Sequence, residues 1–369
     1  MNNSLFGVIS TSRKESEKRL PIHPEYLLKI PGDIRNNLVF ETGYGESFGV
    51  SDEKITSLTA GVAPRLEILK NIGNVILAKP LLEDLTEIKE GGTIWGWSHC
   101  VQQKDIVQIA IDKKLTIISF EAMFSFNKDQ NINEHVFYQN NELAGYCSVL
   151  HALQLKGIDG KYGDQKKILI IGFGSVSHGA IHALQGRGYK DITICTRRSI
   201  GTLANVIKGC KYVTVPKDII SSKKFADLIN KSDIIVNGIL QDPNNPIMFI
   251  KEKNLSKMKK GTLVIDVSCD KEMGFTFSCP TTFKAPMFKV GNIDYYGVDH
   301  TPTYLWETAT RVISNALINY LPTLILNKND KSSKKKTLKN ATDIKNGTIQ
   351  NKEIISFQNR QKKYPYKSL

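Results

Sequence analysis

The segment KKILIIGFGSVSHGAIHALQGRG, residues 166–188, leaves this chain few options. Four aliphatic residues, Ile168 to Ile171, read as a buried strand and run without a break into Gly172-x-Gly174, then into residues of helical period. A strand that must turn at once into a helix needs glycine where the backbone bends and where it approaches a ligand closely. The same turn gathers unpaired amides and the positive end of a helix dipole at one point, an anion site suited to a pyrophosphate. Gly172, Gly174, Ser175 and Val176 are therefore expected to bind a dinucleotide. Ser177 stands at the third glycine position of the usual fingerprint, with Gly179 and Ala180 as small residues further along. A second strand, ITICTRRS, follows where a βαβ unit requires it.

That second strand bears on which dinucleotide is bound. NAD is commonly held by an acidic residue near its end, which hydrogen-bonds the ribose diol. Here the strand ends in Thr196, Arg197 and Arg198, with no carboxylate and two guanidinium groups able to fork onto a phosphate. NADP(H) is expected, ahead of NAD(H).

Elsewhere short apolar strands alternate with helical segments, the pattern of an α/β protein with largely parallel sheets. Strands are expected at Leu5–Ser10, Asn74–Ala78, Thr93–Trp97, Leu115–Ser119, Lys167–Ile171, Asp191–Thr196, Ile234–Asn237 and Thr262–Val267. Helices are expected at Pro24–Lys29, Lys104–Lys113, Leu143–Leu155, Ser177–Arg187 and Thr308–Asn319. No internal repeat is evident. The polar, glycine-bearing stretch KGIDGKYGDQKK, residues 156–167, reads as a domain join.

At 369 residues the chain has room for about two domains. Its formal charge of +14 raises the question of a polyanionic partner, and position answers it. Residues 327–369 hold 12 Lys+Arg against 3 Asp+Glu and few apolar side chains, so they read as a disordered basic tail. The rest is only mildly basic, and nucleic acid is not expected as a partner. No run of about 18 uncharged apolar residues suggests a membrane span, and the first residues pass quickly from a short strand to charges, so a cytoplasmic location is expected. The six cysteines show no paired two-residue spacing; reduced thiols and no metal are expected.

Upstream of the glycine turn, Arg19 in EKRLPIHP, Lys79 in ILAKP and His99 in IWGWSHC carry chemistry that fits one site. Lys79 and His99 each follow an apolar strand, an odd place for such side chains unless they have partners. Further on, Asp266 and Asp270 in GTLVIDVSCD end a buried strand at the rim where ligands of doubly wound sheets bind.

In this order the motifs resemble the family of alanine dehydrogenase, lysine-forming saccharopine dehydrogenase and N5-(carboxyethyl)ornithine synthase. The likeness covers about residues 4–326 and rests on the combination: Arg19-x-Pro21-x-x-Pro24, the strand-end Lys79, His99 twenty residues later, the glycine turn, the DVSCD strand and a VDHTPT loop. GWSH at Gly96–His99, AGYCSVLHAL at Ala144–Leu153, GFGSVSHGA at Gly172–Ala180, DIIVNGI at Asp233–Ile239 and KKGTLVIDVSCD at Lys259–Asp270 look most like carboxyethylornithine synthase. His99-Cys100 with Gln102, and Asp299-His300, look more like saccharopine dehydrogenase.

The resemblance implies two Rossmann-like doubly wound domains with a cleft between them. Residues 1–142 and 300–326 would form the substrate domain, residues 143–299 the NAD(P)-binding domain, and 327–369 the tail. It also implies that Arg19 and Lys79 face substrate carboxylates, that Lys79 and His99 move protons, and that Asp270 lies beside the nicotinamide. Asn237, Gly238, Val267, Ser268, Asp299, His300 and Thr301 would line the cofactor cleft. Glu121 and Glu142 are candidates for the distal end of an amine substrate. The implied activity is an NADPH-dependent oxidoreductase that reductively condenses pyruvate, or a similar 2-oxo acid, with the amino group of ornithine or lysine. Alanine dehydrogenase and saccharopine dehydrogenase activities are the enzymatic alternatives. The implied partners are a small oxo acid and an amino acid, with a homo-oligomer as the assembly. The non-enzymatic alternative is an NADP-binding module docked through its basic tail to a membrane or nucleic acid.

Overall fold

In the computed structural model, which describes residues 5–203, 205–215, 223–242, 244–326 and 332–369, the chain divides into two compact units: Met1–Tyr138 with Trp306–Leu369, and Gln139–Leu305. Each is built on one predominantly parallel sheet.

In the first unit, β1 (Phe6–Val8), β2 (Leu38–Glu41), β3 (Gly61–Ala63), β4 (Asn74–Ile76), β5 (Thr93–Gly96) and β6 (Thr116–Ser119) pair in parallel in the order β3-β2-β1-β4-β5-β6. The order reverses beside β1, and strand-end loops there are where ligands of such sheets bind. A two-stranded ribbon, β7 (Phe124–Phe126) with β8 (Ile132–His135), follows. Both faces of the main sheet are apolar, one packed around Trp95, Phe40 and Phe120, the other around Val75, Ile94 and Ile117. That two-sided burial is why the strands read as continuous aliphatic runs.

The second unit repeats the plan. Strands β9 (Ile168–Ile171), β10 (Ile192–Thr196), β11 (Cys210–Thr214), β12 (Ile234–Asn237), β13 (Met248–Ile250), β14 (Leu263–Asp266), β15 (Gly274–Phe275), β16 (Met287–Val290) and β17 (Ile293–Tyr296) follow in sequence. The main sheet has the order β11-β10-β9-β12-β14-β17-β16, parallel except for β16; β13 and β15 pair separately. The long helices Tyr138–Lys156 and Ser175–Gly186 belong to this unit.

Two expectations about organisation are corrected. The stretch 156–167 is not a domain join: the units part at the first residue of the helix Tyr138–Lys156 and again after Leu305. Its polar residues are instead tied down within the second unit. Gly160 N–H donates to the Arg187 carbonyl at 3.0 Å, and Arg187 pairs with Asp159 at 2.5 Å. Residues 139–142 and 300–305 likewise belong to the second unit, not the first.

The larger correction concerns the tail. Residues 327–331 lie outside the described residues, but from Ser332 onward the segment folds on the first unit as helix Ser333–Asn340, β18 (Thr342–Lys345), β19 (Thr348–Ile349) and helix Lys352–Phe357. β18 runs antiparallel to β6 and β19 antiparallel to β18, which extends the sheet to eight strands. The few apolar residues are spent well: Leu338 and Ala341 join one face of the core, and Ile344, Ile349, Ile354 and Tyr366 join the other. A fully buried isoleucine contributes about 1.5–3 kcal/mol. The segment cannot fold alone, but the open edge of β6 supplies both hydrogen bonds and a core. Among the described residues no helix is long and apolar enough to cross a membrane.

Candidate functional site

In the first unit the carboxyl ends of four neighbouring strands deliver the candidate residues. Arg19 comes from the connection after β1, Lys79 from just beyond β4, His99 from just beyond β5, and Glu121 from just beyond β6. Pairing of β4 and β5 continues past their ends, with Leu77 N–H donating to the Trp95 carbonyl and Trp97 N–H to the Ala78 carbonyl. This carries Lys79 and His99 alongside each other, and Lys79 Nζ lies 2.9 Å from His99 Nε2. The twenty-residue spacing in the sequence is thus the length of one strand-helix-strand crossover.

His99 holds a left-handed backbone, φ +47°, unusual for a residue with a side chain. Its N–H donates to Glu121 Oε1 at 2.6 Å. This overturns the assignment of Glu121 to an amine substrate: one carboxyl oxygen is bound beneath His99, and Oε2 is sealed from solvent with no hydrogen-bond partner among the described residues. Burial, reinforced by the nearby Asp343 carboxyl and opposed by Lys79, pushes Glu121 up to about 8. Burial thus biases the Glu121 carboxyl toward its protonated form. Asp343, on β18, is also raised by burial, against hydrogen bonds from Ser119 Oγ and Asn351 Nδ2. Burial likewise raises the Cys100 thiol well above its ordinary value, which makes it an inert packed group.

Arg19 is buried, with its guanidinium 5.1 Å from the centre of the Trp97 ring. Its Nε and Nη2 donate to the two carboxylate oxygens of Glu17 at 2.8 and 2.5 Å. The fork assigned above to a substrate carboxylate is thus already engaged along one edge by the chain itself. Glu17 escaped the sequence reading although EKR sets it two residues before Arg19, because nothing local says that the two side chains turn inward together.

In the second unit the glycine turn is formed as expected. Gly172 has φ +101°, and a side chain there would press into Ile239 at 2.8 Å. A side chain at Gly174 would meet nothing within 4 Å, so its outer face is open, and Gly174 begins the helix Ser175–Gly186 with no side-chain cap on the amides of the first turn. An open cradle over uncapped amides fits a pyrophosphate. The close helix approach usually allowed by the third glycine occurs two residues later. A Cβ at Gly179 would lie 1.8 Å from the Glu142 carbonyl oxygen, and one at Gly145 1.8 Å from that of Val176. Glu142 is therefore placed by its backbone at this helix crossing, within the second unit. Ser177 Oγ is buried beside Gly238 and has no partner among the described residues.

At the end of β10, Arg197 and Arg198 are exposed, while Thr196 is buried and its Oγ1 accepts the Arg198 N–H at 3.3 Å. Arg198 Nη2 donates to the Phe173 carbonyl at 2.5 Å, which holds a guanidinium against the glycine turn. A phosphate near this strand end would meet two cations, so the residues present fit an NAD(P) cofactor.

Several other assignments shift from contact to support. Asp266 is not at the rim: it is fully buried, with Oδ1 accepting from Asn237 Nδ2 at 2.9 Å and Cys269 N at 3.1 Å, and Oδ2 accepting from Ser278 Oγ and Tyr295 OH. Burial raises its carboxyl against those bonds. Asn237 is equally sealed, so it acts by holding Asp266 and the Ile239 N–H rather than by lining a cleft. His300 pairs with Asp299 at 2.6 Å and is buried, and Thr301 Oγ1 donates to the Ala144 carbonyl at 3.0 Å. Thr301 thereby docks the 298–305 loop on the helix Tyr138–Lys156, while His300 packs edge-on against Phe283. Gly238, Val267 and Ser268 lie at strand ends, with Gly238 N–H on the Ile171 carbonyl, Val267 N–H on the Asn237 carbonyl and Ser268 Oγ on the Ile239 carbonyl. Asp270 follows the strained Cys269, φ +30°, and is half-buried.

Comparison with known proteins places the chain in a family and a fold. The family described as "Alanine dehydrogenase/PNT, C-terminal domain" matches residues 153–352. An N(5)-(carboxyethyl)ornithine synthase of Clostridium botulinum is 27% identical over 321 residues, 83% of this chain and 90% of the relative. An alanine dehydrogenase 1 of Staphylococcus aureus is 22% identical over 316 residues, 84% of each chain. A solved L-alanine dehydrogenase superposes with a TM-score of 0.74 at 17% identity, over 95% of this chain and 98% of that one, a likeness of fold.

Proposed function

Because the chain belongs to the alanine dehydrogenase/PNT C-terminal domain family, we propose that it is an NAD(P)-dependent oxidoreductase acting on the CH–NH group of amino acids, and specifically an NADPH-dependent carboxyalkyl amino-acid synthase. It condenses pyruvate, or a similar 2-oxo acid, with the amino group of ornithine or lysine. The observation that carries the reading is the 2.9 Å contact between Lys79 and His99. Joining an amine to an oxo acid requires a proton to leave the amine, a proton to reach the departing hydroxyl, and water to go before reduction. An amine and an imidazole in hydrogen-bond contact can pass a proton between them at each stage. Arg19, held near the Trp97 ring by Glu17, is assigned to the oxo acid's carboxylate, which fixes the face of the carbonyl presented for attack. The reduced nicotinamide supplies the hydride when bound. Asp270 is assigned a place near it, on a loop held by buried Asp266. Arg197 and Arg198 favour a cofactor with a ribose phosphate, supported by the Arg198 anchor on Phe173.

The test is a substrate screen that follows NADPH and NADH absorbance with pyruvate and 2-oxoglutarate against ornithine, lysine and ammonia. Oxidation of NADPH that requires pyruvate with ornithine or lysine is expected. Turnover with ammonia alone would replace the proposal with alanine dehydrogenase activity, and turnover with lysine and 2-oxoglutarate with saccharopine formation. The docked-module alternative has lost its premise, since residues 332–369 are built into the first unit's sheet and core.

A further inference from the structure

We propose that the C-terminal segment belongs to the catalytic machinery, with Gln358 as a positioning residue that fixes the turn carrying His99. This rests on the role given to His99 above. The turn is held from three sides. The His99 N–H is taken by Glu121, and the His99 carbonyl accepts from the N–H groups of Gln102 and Gln103, each at 3.0 Å. That closes residues 99–103 into a tight turn and directs the next two carbonyls, of Cys100 and Val101, out of it. Gln358 Nε2 donates to both, at 2.7 and 3.1 Å.

The orientation of the amide is fixed. Gln358 is 1% exposed, and its Oε1 accepts from Arg360 Nε at 2.7 Å, so its NH2 must point at the two carbonyls. Arg360 is buried in turn and braced on the Lys104 carbonyl at 3.1 Å and Gln108 Oε1 at 2.9 Å, both on the helix that follows the turn. Asp343 completes the support from the same segment, bonded to Ser119 on β6 and lying close to Glu121. The left-handed conformation of His99 is costly and persists only where its surroundings over-determine it. Removing the Gln358 amide leaves the buried Cys100 carbonyl and the half-buried Val101 carbonyl without this donor, and the turn relieves this by rotating the peptides next to His99. The imidazole then leaves its register with Lys79.

The experiment is Gln358→Met in the full-length chain, which keeps the volume and removes both the donor to the two carbonyls and the acceptor of Arg360 Nε. Turnover should fall between about ten- and a hundredfold, the scale of a misplaced acid/base group, with NADPH affinity within about twofold of the parent. Placed on His99→Asn, the same change should cost nothing further, because a residue acting through His99 has no effect once the imidazole is gone. Turnover within about twofold of the parent in folded Gln358→Met, or losses that multiply with those of His99→Asn, would overturn the proposal. The His99 imidazole, followed by NMR as pH is varied, needs no substrate and so separates this idea from the choice of reaction. A shifted midpoint in Gln358→Met supports positioning, and an unchanged one refutes it even if no substrate pair turns over. If Gln358→Met does not fold, Gln358→Asn keeps an amide for Arg360 but cannot span both carbonyls. It should show a smaller loss of the same kind, and parent-like turnover and titration in that variant would equally refute the proposal.

Discussion

The carboxyl of Glu121 offers a quantitative test of the buried network under His99. Replacing it by glutamine keeps an oxygen for the His99 N–H and removes the ionisable proton. In the folded chain, burial and Asp343 push Glu121 from its ordinary 4.5 up to about 8. Between those values the unfolded chain has released a proton that the folded chain still holds, so folding takes up a proton and stability falls as pH rises. The loss begins near pH 4.5 and is complete above about pH 8. At about 1.4 kcal/mol per pH unit the interval bounds it at roughly 5 kcal/mol. Glu121 is only half-buried, so about 2–4 kcal/mol is the reasonable expectation. Urea unfolding of the parent and Glu121→Gln at a series of pH values from 4.5 to 8.5 measures it. The parent's stability should fall relative to the variant's across that range. Parallel curves would mean that Glu121 ionises in place, and the reasoning about a protonated acid beneath His99 would fail.

Other outcomes follow from the same contacts. His99→Asn should lower turnover by roughly a hundredfold while NADPH affinity, measured by fluorescence titration, stays near that of the parent. Arg198→Ala removes a guanidinium anchored on Phe173 and should weaken NADPH binding by about ten- to a hundredfold with little change for NADH; equal losses for both would place the selectivity elsewhere. Ile354→Ala, at a fully buried position in the C-terminal segment, should destabilise the chain by about 2–5 kcal/mol, whereas a mobile tail would show no change in the unfolding midpoint. Gly179→Ala forces a methyl group against the Glu142 carbonyl and should cost about 1–3 kcal/mol, read as a lowered Tm.

Much of the fold is legible residue by residue where the signal is local. Ile168–Ile171 into Gly172 and Gly174 is one continuous instruction, and the expected strands at Asn74–Ala78, Thr93–Trp97 and Leu115–Ser119 contain β4, β5 and β6. Lys79 and His99 stand out because polar side chains directly after buried strands need a reason. Asp266 stands out for the same cause but receives the opposite answer, together with Asn237, which the family resemblance implied for the cofactor cleft. Their polar groups face each other inside the second unit, and a strand-end position does not say which way a side chain turns. The tail misleads through averaging. Its lysines dominate the composition, and six spaced apolar residues carry its packing.

By itself, then, the sequence determined what depends on neighbours along the chain: the alternation of strand and helix, the anion-binding turn, the basic end of β10, and the candidates Lys79 and His99. Tertiary structure alone decided what joins residues far apart. Asp343 lies 222 positions from Glu121 in number, and Gln358 is 258 from Cys100, yet both support the turn that holds His99. The physical reason is that Lys-rich residues 332–369 cannot pay the entropy of ordering on their own apolar surface. The edge of β6, folded from residues two hundred places earlier, supplies the partner that makes a weakly hydrophobic segment part of the site.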